Sequence, residues 1–343
     1  MLINLPYKIL IEENIFPHLD EFLKSLKIGE RFSIICGERV KNILENKIEE
    51  SISSDFDFNY ILVDDSAKEE DIIKKISNEI IERDFVIGLG GGRNIDIAKY
   101  SAFLSKKPWI AFPTVLSHDG VVSSRASISS NGKRISKEAS EPIAIIGDLE
   151  TIKKAPYRHI ASGYGDLISN ITAVEDWKIA SKKINERFHT TVAELSLLSA
   201  RSVMAHTNEI KEKTSHGMEI LLWSLICSGF AMNIYGSSRP CSGSEHNFSH
   251  ALDELGSNAL HGEQCALGSI IMGYLQGIDW KLIKEKMIEI GLPTNSKEIG
   301  IEEDILVKAL VNAKNVRDRY TILNEIEIDE KKAREILKEV EII

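Results

Sequence analysis

One stretch decides the fold, and it reads Phe85-Val-Ile-Gly88-Leu-Gly90-Gly91-Gly92-Arg93-Asn94-Ile95-Asp96-Ile-Ala-Lys99. A short β-prone run ends in three consecutive glycines, and a helical pattern follows. Bare glycines let backbone N–H groups approach a phosphate, which the positive end of the next helix also attracts. The spacing matches neither G-x-G-x-x-G nor a P-loop. A tight strand-to-helix turn is the alternative, but three glycines cost more backbone entropy than a turn alone requires.

Outward from this stretch, β-prone runs alternate with helical patterns. The other runs span residues 32–36, 59–63, 109–112 and 143–146, and helical patterns cover residues 40–50 and 69–83. This alternation predicts a parallel sheet with helices on both faces, that is, a Rossmann-like α/β domain over residues 1–150. Ligands of such sheets bind beyond the carboxyl ends of the strands.

The β signals fade after residue 148. Apolar residues recur with helical period over residues 186–209, 218–235, 280–290, 305–316 and 329–340. We therefore expect an all-α domain over residues 151–343. A chain of 343 residues exceeds the length at which a single core stops growing, which agrees with two domains.

Composition excludes several classes of protein. The formal net charge of −10 argues against nucleic acid as a partner, because phosphate backbones bind basic surfaces. The four cysteines are far apart and form no C-x-x-C motif, which indicates buried free thiols. The N-terminus lacks the features of a signal peptide, and no apolar run approaches the roughly 20 residues of a spanning helix. We expect a cytoplasmic protein without a membrane span.

Three histidines fall within residues 243–264. His246 and His250 are four residues apart, so a helix places them on one face. His261 follows a Gly-Ser-Asn break and belongs to the next element. The three imidazoles suit a divalent metal such as Zn, Fe, Ni or Cu, although a polar helix face would show the same spacing.

Two acidic residues stand in short motifs. Asp166 follows Gly163-Tyr-Gly165 and is expected to open a helix, either as an N-cap or as an acidic metal ligand. Asp119 follows the predicted strand at residues 109–112 and precedes Gly120. Alone, the Asp-Gly pair indicates a turn.

In their order along the chain, these motifs resemble the iron-containing alcohol dehydrogenases and their relatives, glycerol dehydrogenase and dehydroquinate synthase. The shared segments are Gly90-Gly-Gly-Arg-Asn-Ile-Asp96, Pro113-Thr114, Gly163-Tyr-Gly-Asp166 and His261-Gly-Glu263. Within that superfamily, Leu116-Ser-His-Asp-Gly120 and Ser242-Gly-Ser-Glu-His246-Asn-Phe-Ser-His250-Ala-Leu-Asp253 are similar to the sn-glycerol-1-phosphate dehydrogenases. The resemblance runs from about residue 30 to past residue 265 and implies a dehydroquinate synthase-like fold with both domains.

The resemblance implies a role for individual residues. Asp166, His246 and His261 would bind Zn²⁺ and leave a fourth position open, which differs from the His246/His250 pair that helical spacing suggests. Asp119 and His250 would act in catalysis, and together with Asp166 they would contact the substrate. The implied contacts with the nicotinamide cofactor are Gly90, Gly91, Gly92, Arg93, Asn94, Ile95, Asp96, Thr114, Val115, Leu116, Ser117 and Ser123.

The implied reaction is the reversible reduction of dihydroxyacetone phosphate to sn-glycerol 1-phosphate, for archaeal membrane phospholipids. Another polyol dehydrogenase, such as glycerol dehydrogenase, and a dehydroquinate synthase-like cyclase are the alternatives. The expected partner is thus a small phosphorylated triose or glycerol, bound by a homo-oligomer.

Two features concern the phosphates of cofactor and substrate. Related alcohol dehydrogenases often carry Asp just after the first strand, where this chain has Gly37 with Arg39 nearby. Loss of the carboxylate removes repulsion of a 2′-phosphate, so we expect NADP(H) to be accepted alongside NAD(H).

The sequence does not choose among several cations for the substrate phosphate: Arg125, Lys133, Arg134, Lys137 and Arg239.

Overall fold

The computed structural model describes residues 3–64, 66–130 and 133–343 and divides the chain into two compact units. Unit 1 comprises Met1–Leu116 and Gly120–Ala155, and unit 2 comprises Ser117–Asp119 and Pro156–Ile343. The chain passes from unit 1 to unit 2 at residues 155–156, compared with 150–151 in the prediction. Three residues of the loop after residue 114 also belong with unit 2.

Unit 1 is built on a six-stranded sheet in the order β1-β8-β5-β4-β2-β3, and every neighbouring pair of strands is parallel. A separate antiparallel pair joins β6 to β7. The strands are β1 (Lys8–Glu12), β2 (Arg31–Cys36), β3 (Asp57–Leu62), β4 (Phe85–Gly90), β5 (Trp109–Pro113), β6 (Arg125–Ser130), β7 (Lys133–Glu138) and β8 (Ala144–Asp148). The predicted parallel sheet is confirmed.

Three strands escaped the sequence analysis: β1, β6 and β7. Strand β1 lies at an edge of the sheet, and all five of its residues are only half-buried. Strands β6 and β7 pair only with each other and carry many polar residues. Polar residues weaken the pattern of β6 and β7, whereas β1 carries the apolar run Ile9-Leu10-Ile11 and has no such explanation, since the predicted β3 lies at the opposite edge.

Five helices complete unit 1, and its core lies against the sheet. The helices are α1 (Leu19–Leu26), α2 (Glu38–Ser51), α3 (Glu69–Glu79), α4 (Gly92–Leu104) and α5 (Leu149–Lys153). Phe32 of β2 is fully buried, and its ring stacks on Phe58 of β3 at 5.1 Å and on Phe85 of β4 at 4.8 Å between centroids. These aromatic pairs across adjacent strands help to fix the register of the sheet.

Unit 2 is helical. Its helices are α6 (Tyr157–Ile168), α7 (Asn170–Ile184), α8 (Thr190–Ala205), α9 (Thr207–Lys211), α10 (Ser215–Tyr235), α11 (Ser244–Glu254), α12 (His261–Gln276), α13 (Trp280–Ile290), α14 (Ser296–Ile299), α15 (Glu303–Asn312) and α16 (Glu330–Glu339). The helical domain is confirmed. The single helix expected over residues 186–209 is wrong, because the chain breaks at His206 between α8 and α9.

Helix α10 is apolar on all sides. Within the described residues it is the one helix whose length and composition would allow it to cross a membrane, and 67% of the window that meets this test is buried inside the protein. A helix that is hydrophobic all round is typical either of a membrane span or of a buried core. The burial of α10 is that of a core helix.

Candidate active site

The glycine loop joins β4 to α4 at the carboxyl edge of the sheet in unit 1. Gly90 ends β4 with φ of +140°, a conformation that L side chains rarely adopt. A Cβ atom at Gly90 would lie 2.7 Å from Nδ2 of Asn94, so this position requires glycine. Gly91 is extended and precedes α4, whose first N–H groups have no partners within the helix. This is the geometry of a phosphate-binding turn.

The other predicted cofactor residues follow β5 or lie on α4. The Thr114 N–H donates to the carbonyl of Gly90 at 3.0 Å, so the loops after β4 and β5 are adjacent. Ser123 is buried and its hydroxyl donates to the carbonyl of Arg125 at 3.4 Å. Every residue predicted to contact the cofactor belongs to unit 1 except Ser117, which belongs to unit 2.

Two side chains of α4 are engaged inside unit 1. Arg93 Nε donates to the Glu69 carboxylate at 2.9 Å. Asp96 is 3% exposed, lies 3.0 Å from the ammonium of buried Lys99, and accepts from the N–H of Ser127 at 3.2 Å. These contacts tie both side chains to the protein. Direct cofactor contacts of the Arg93 and Asp96 side chains stay predictions.

Three predicted metal ligands converge within unit 2. Asp166 lies in the last turn of α6, so its interpretation as an N-cap is wrong. His246 lies on α11, and His261 is the first residue of α12. The Nε2 atoms of His246 and His261 lie 3.7 Å and 3.6 Å from Oδ1 of Asp166. These separations exceed a hydrogen bond but suit ligands of one ion, since tetrahedral donors at about 2.0 Å lie about 3.3 Å apart.

The second polar atom of each ligand is occupied by a neighbour. Nδ1 of His246 lies 2.8 Å from the buried Glu245 carboxylate, and Nδ1 of His261 lies 3.3 Å from the Ser249 hydroxyl. Oδ2 of Asp166 accepts from the backbone N–H of Asp119 at 2.9 Å. Metal-binding histidines generally carry such partners on the outer nitrogen, because these fix the tautomer and the ring orientation. The donor atoms that remain, two Nε2 and one Oδ1, face one another.

Burial sets the charge of this cluster. Burial lowers the pKa of both His246 and His261 well below the usual value for histidine, so both rings are neutral near pH 7. Burial and the charge of Asp119 raise the pKa of Asp166 well above its usual value. Two neutral imidazoles and one buried carboxyl form a donor set that a divalent cation would stabilise. The residues therefore fit a Zn²⁺ site.

Cys265 is a fourth candidate ligand. Its sulfur lies within the same group of donor atoms and 3.5 Å from Nε2 of His261, one helical turn away on α12. Burial raises the pKa of the thiol well above its usual value, and the thiolate is the form that binds metal. The sequence analysis assigned Cys265 no role beyond that of a buried thiol.

Glycines set the distance between the two helices that carry Asp166 and His261. A Cβ atom at Gly262 would lie 1.8 Å from the carbonyl oxygen of Ser162 on α6. A Cβ atom at Gly165 would lie 2.5 Å from the carbonyl oxygen of Gly262. Helices α6 and α12 thus pack backbone against backbone at this point, which places Asp166 and His261 side by side.

Asp119 lies beside the metal cluster, the name used here for the three side chains of Asp166, His246 and His261. Its carboxylate accepts from the Ser228 hydroxyl on α10 at 2.8 Å, while its backbone N–H holds Asp166. The neighbouring His118 ring lies 6.4 Å from the His261 ring, centroid to centroid. Contact between Asp119 and a substrate stays a prediction from the resemblance.

His250 contacts Arg317, one of two neighbouring arginines that the sequence analysis missed. Its Nε2 contacts the guanidinium of Arg317, and its Nδ1 lies 3.7 Å from Asp253. Burial is the main cause that lowers the pKa of His250. Arg319, two residues further along the chain, donates to the carbonyl of Ser242. These arginines come about 50 residues after the histidine segment, and no sequence pattern linked the two.

The structure narrows the cations proposed for the substrate phosphate. Arg239 is 1% exposed, its Nε lies 3.0 Å from Glu186, and its Nη2 donates to the carbonyl of Tyr320 at 2.7 Å. Its Nη1 has no hydrogen-bond partner among the described residues, so a phosphate role for Arg239 stays a prediction. Arg125 donates to Ser136 within the β6–β7 hairpin. The side chains of Lys133 and Arg134 lie outside the described part of the structure.

Comparisons with known proteins agree with the two-unit fold and the candidate site described above. The family model of iron-containing alcohol dehydrogenases matches residues 10–156. The fold is similar to that in the crystal structure of glycerol dehydrogenase from Schizosaccharomyces pombe, with a TM-score of 0.81 and 19% identity over 99% of this chain and 90% of that one.

Sequence relatives narrow the class. The chain is 41% identical over 326 residues to "Glycerol-1-phosphate dehydrogenase [NAD(P)+]" of Thermococcus sibiricus, covering 94% of this chain and 93% of the relative. It is 39% identical over 344 residues to the protein of the same name from Methanothermobacter thermautotrophicus, covering 99% of each. The chain belongs to the glycerol-1-phosphate dehydrogenase family and is an oxidoreductase.

Proposed function

We propose that this protein catalyses the reversible, NAD(P)H-dependent reduction of dihydroxyacetone phosphate to sn-glycerol 1-phosphate. The observation that carries the proposal is the convergence of Asp166, His246 and His261 in a chain whose relatives are named for glycerol 1-phosphate and NAD(P)+. The glycine loop after β4 supports the cofactor requirement, because its backbone offers N–H groups to a pyrophosphate.

Asp166, His246 and His261 would hold a Zn²⁺ ion. When bound, the ion supplies a Lewis acid for the substrate carbonyl oxygen. The chain contributes the orientation of the ligands, through Glu245 behind His246 and through the Asp119 N–H behind Asp166. Because burial keeps the Cys265 thiol protonated, Asp166, His246 and His261 would be the three protein ligands and would leave a position for substrate, which is the arrangement of a catalytic rather than a structural site.

Asp119 and His250 would orient the substrate and move the proton. The Asp119 carboxylate accepts from Ser228, which fixes it beside the cluster, where it accepts a hydrogen bond from a substrate hydroxyl. His250 is neutral near pH 7 because burial lowers its pKa, and its Nε2 would accept a proton in the direction of alcohol oxidation once the Arg317 guanidinium, which contacts it in this structure, binds the substrate instead. In the reverse direction the same group returns the proton to the C2 oxygen, directly or through water.

Both nicotinamide cofactors are proposed to serve. The cofactor supplies the hydride. Gly37 precedes α2 with extended backbone, and the exposed Arg39 lies in the first turn of that helix. No carboxylate stands at residue 37 to repel a 2′-phosphate, and Arg39 offers a cation for it.

An oxidation assay on both glycerophosphate enantiomers with NAD+ and NADP+ tests the proposal. We expect turnover of the sn-1 enantiomer with both cofactors. The His261→Ala variant should lose both bound metal and turnover. Turnover of the sn-3 enantiomer alone, or full activity of a metal-free His261→Ala protein, would sink the proposal.

Reduction assays with dihydroxyacetone and its phosphate separate the proposed activity from its alternatives. Reduction of unphosphorylated dihydroxyacetone in preference to its phosphate would identify a glycerol dehydrogenase. A dehydroquinate synthase-like cyclase uses its cofactor transiently, so the absence of net NAD(P)H consumption would favour that class.

We further propose a cytoplasmic homo-oligomer whose product enters the synthesis of archaeal membrane phospholipids. The membership of archaeal relatives in the same family supports the lipid role. Light scattering coupled to gel filtration measures the subunit number, and a monomer at micromolar concentration would contradict the oligomer. Lipid analysis after depletion of the protein in its host tests the role, with loss of sn-glycerol 1-phosphate lipids as the expected result.

A further inference from the structure

Arg317 and Arg319 form a cationic cluster at the edge of the metal site. They lie on the segment between the 3-10 turns Ala313–Asn315 and Ile322–Asn324. Arg317 Nη1 donates to the Ser242 hydroxyl at 3.1 Å, and Arg319 donates to the Ser242 carbonyl and to the Ser238 hydroxyl, the latter at 3.0 Å. Two guanidiniums thus meet around Ser242, just ahead of α11.

The hydrogen bonds of Arg319 go to neutral groups, so its charge is not neutralised by direct contact. Burial is the first cause that lowers the pKa of Arg319, to about 10, and the positive charges of Arg317 and Arg239 come next. Arginine nevertheless stays charged near pH 7. Like charges held together in a partly desolvated place raise the free energy of the protein, and a bound anion would offset that cost.

The cluster lies next to the residues proposed to bind the reacting end of the substrate. Arg317 contacts Nε2 of His250. The ring of His250 in turn lies 6.1 Å from the ring of His261, centroid to centroid. One side chain therefore separates the guanidinium of Arg317 from a candidate metal ligand.

Substrate geometry matches this arrangement. In dihydroxyacetone phosphate, one CH₂ group and one ester oxygen separate the carbonyl carbon from phosphorus. A carbonyl held at the metal cluster therefore places the phosphate dianion only a few ångströms away. Guanidinium groups are the side chains best suited to it, because they donate two parallel N–H groups to phosphate oxygens.

We infer that Arg317 and Arg319, with the Ser242 hydroxyl between them, bind the phosphate of the substrate and select phosphorylated over unphosphorylated trioses. This inference rests on the proposed function, since it assigns a phosphorylated substrate to the same site. The sequence analysis left the choice of cation open, and neither Arg317 nor Arg319 was among the cations that it named.

Steady-state kinetics test the inference. The rates of reduction of dihydroxyacetone phosphate and of dihydroxyacetone are measured in wild type, Arg317→Gln and Arg319→Gln. The ratio of kcat/KM for the phosphorylated over the unphosphorylated substrate should fall by about 30-fold or more per variant, as for the loss of a charged hydrogen bond. Inhibition by inorganic phosphate should weaken in parallel. Arg201→Gln, which removes an exposed arginine elsewhere in unit 2, should leave both values unchanged.

The outcomes distinguish the inference from the proposed function. If wild type reduces dihydroxyacetone phosphate and both variants keep the wild-type ratio, the phosphate site is wrong and the function stands. If wild type does not turn over the phosphorylated substrate, the proposed function fails. Calorimetry with inorganic phosphate then tests the site alone, and equal affinity in wild type and Arg317→Gln would overturn it. The ratio within one protein, and the conservative Arg317→Lys variant, guard against a folding defect.

Discussion

Glu245 is the buried residue that positions His246. It is fully buried, lies 2.8 Å from Nδ1 of His246, accepts from the Gly243 N–H at 2.6 Å, and accepts from the Thr172 hydroxyl at 3.1 Å. A carboxylate in this place makes Nε2 the free nitrogen of the ring and raises its basicity. Its role follows from the structure alone, since Glu245 carried no signal in the sequence analysis.

We predict that Glu245→Gln weakens metal binding by about 10- to 100-fold, because the neutral amide polarises the imidazole less. The measurement is competition with a chelator of known affinity, followed by the metal content. Glu254→Gln removes an exposed carboxylate from the same helix and serves as the control. Equal metal affinity in Glu245→Gln and wild type would show that Glu245 only fills space.

Arg39 makes the cofactor prediction testable at a single exposed side chain. In Arg39→Gln, KM for NADPH should rise by about 10-fold while KM for NADH stays constant, because only NADPH carries the 2′-phosphate. Initial rates with both cofactors measure this. Lys74→Gln, an exposed cation on α3, is the matched control. A parallel rise in both KM values would argue against contact with the 2′-phosphate.

At the scale of elements, the close packing of α6 on α12 determines whether the ligands meet. In Gly262→Ala, a Cβ atom would lie 1.8 Å from the Ser162 carbonyl, so the helices must separate. We expect a loss of about 3 kcal/mol in the free energy of unfolding, together with weaker metal binding.

Gly300→Ala provides the contrast for this prediction. Gly300 has φ of +72°, and nothing lies within 4 Å of its Cβ position. Only backbone strain is added there, so we expect a cost of about 1 kcal/mol and unchanged metal affinity. Chemical denaturation and metal titration measure both quantities, and similar losses in the two variants would refute the role of helix packing.

Asp176 ties the start of α11 to the loop after Arg319. Its carboxylate accepts from the Ser244 N–H at 2.6 Å and from the Ile322 N–H at 2.7 Å. Burial, followed by the charge of Glu245, raises its pKa to about 6. Because the folded pKa exceeds the unfolded value, this group adds stability that is complete below about pH 4 and is lost as the pH rises through 6.

Between pH 4 and 7, the free energy of unfolding of wild type should therefore fall by about 2 kcal/mol relative to Asp176→Asn, which is destabilised overall but lacks this titration. Denaturation in the presence of a chelator, at several pH values, measures the difference. Asp329→Asn, at the exposed start of α16, is the control. Parallel pH profiles for wild type and Asp176→Asn would contradict the prediction.

At the scale of the whole molecule, a metal ion would join three segments that are far apart in the chain. Asp166, His246 and His261 lie on α6, α11 and α12. Free Zn²⁺ at about 1,000 times Kd should add about 4 kcal/mol to the stability of the native state, which raises Tm by about 6 °C. Calorimetry with Zn²⁺ and with chelator measures the shift. His261→Ala should show none, and a shift of wild-type size in that variant would place the ion elsewhere.

The sequence predicted the elements that are buried and regular. Strands β2, β3, β4, β5 and β8 carry apolar runs, and the glycine run after β4 predicted the turn that the structure shows. The β6–β7 hairpin was missed because polar strands have weak patterns, whereas β1 was missed although it carries the apolar run Ile9-Leu10-Ile11. His246 and His261 were recognised from motifs, whereas Glu245, Arg317 and Arg319 were not, because their roles depend on contacts between distant segments.

Period and composition by themselves thus determined the two-part architecture, the glycine turn and the pool of possible ligands, because these properties are local. Only the tertiary structure decided that Asp166 lies in the last turn of a helix instead of starting one, and that Nε2 of His250 contacts Arg317 while the His250 ring lies 6.1 Å from that of His261. The physical reason is that packing sets distance. Backbone contact at Gly262 brings two helices together. The spacing of residues along the chain does not predict which buried side chains then lie within a few ångströms of one another.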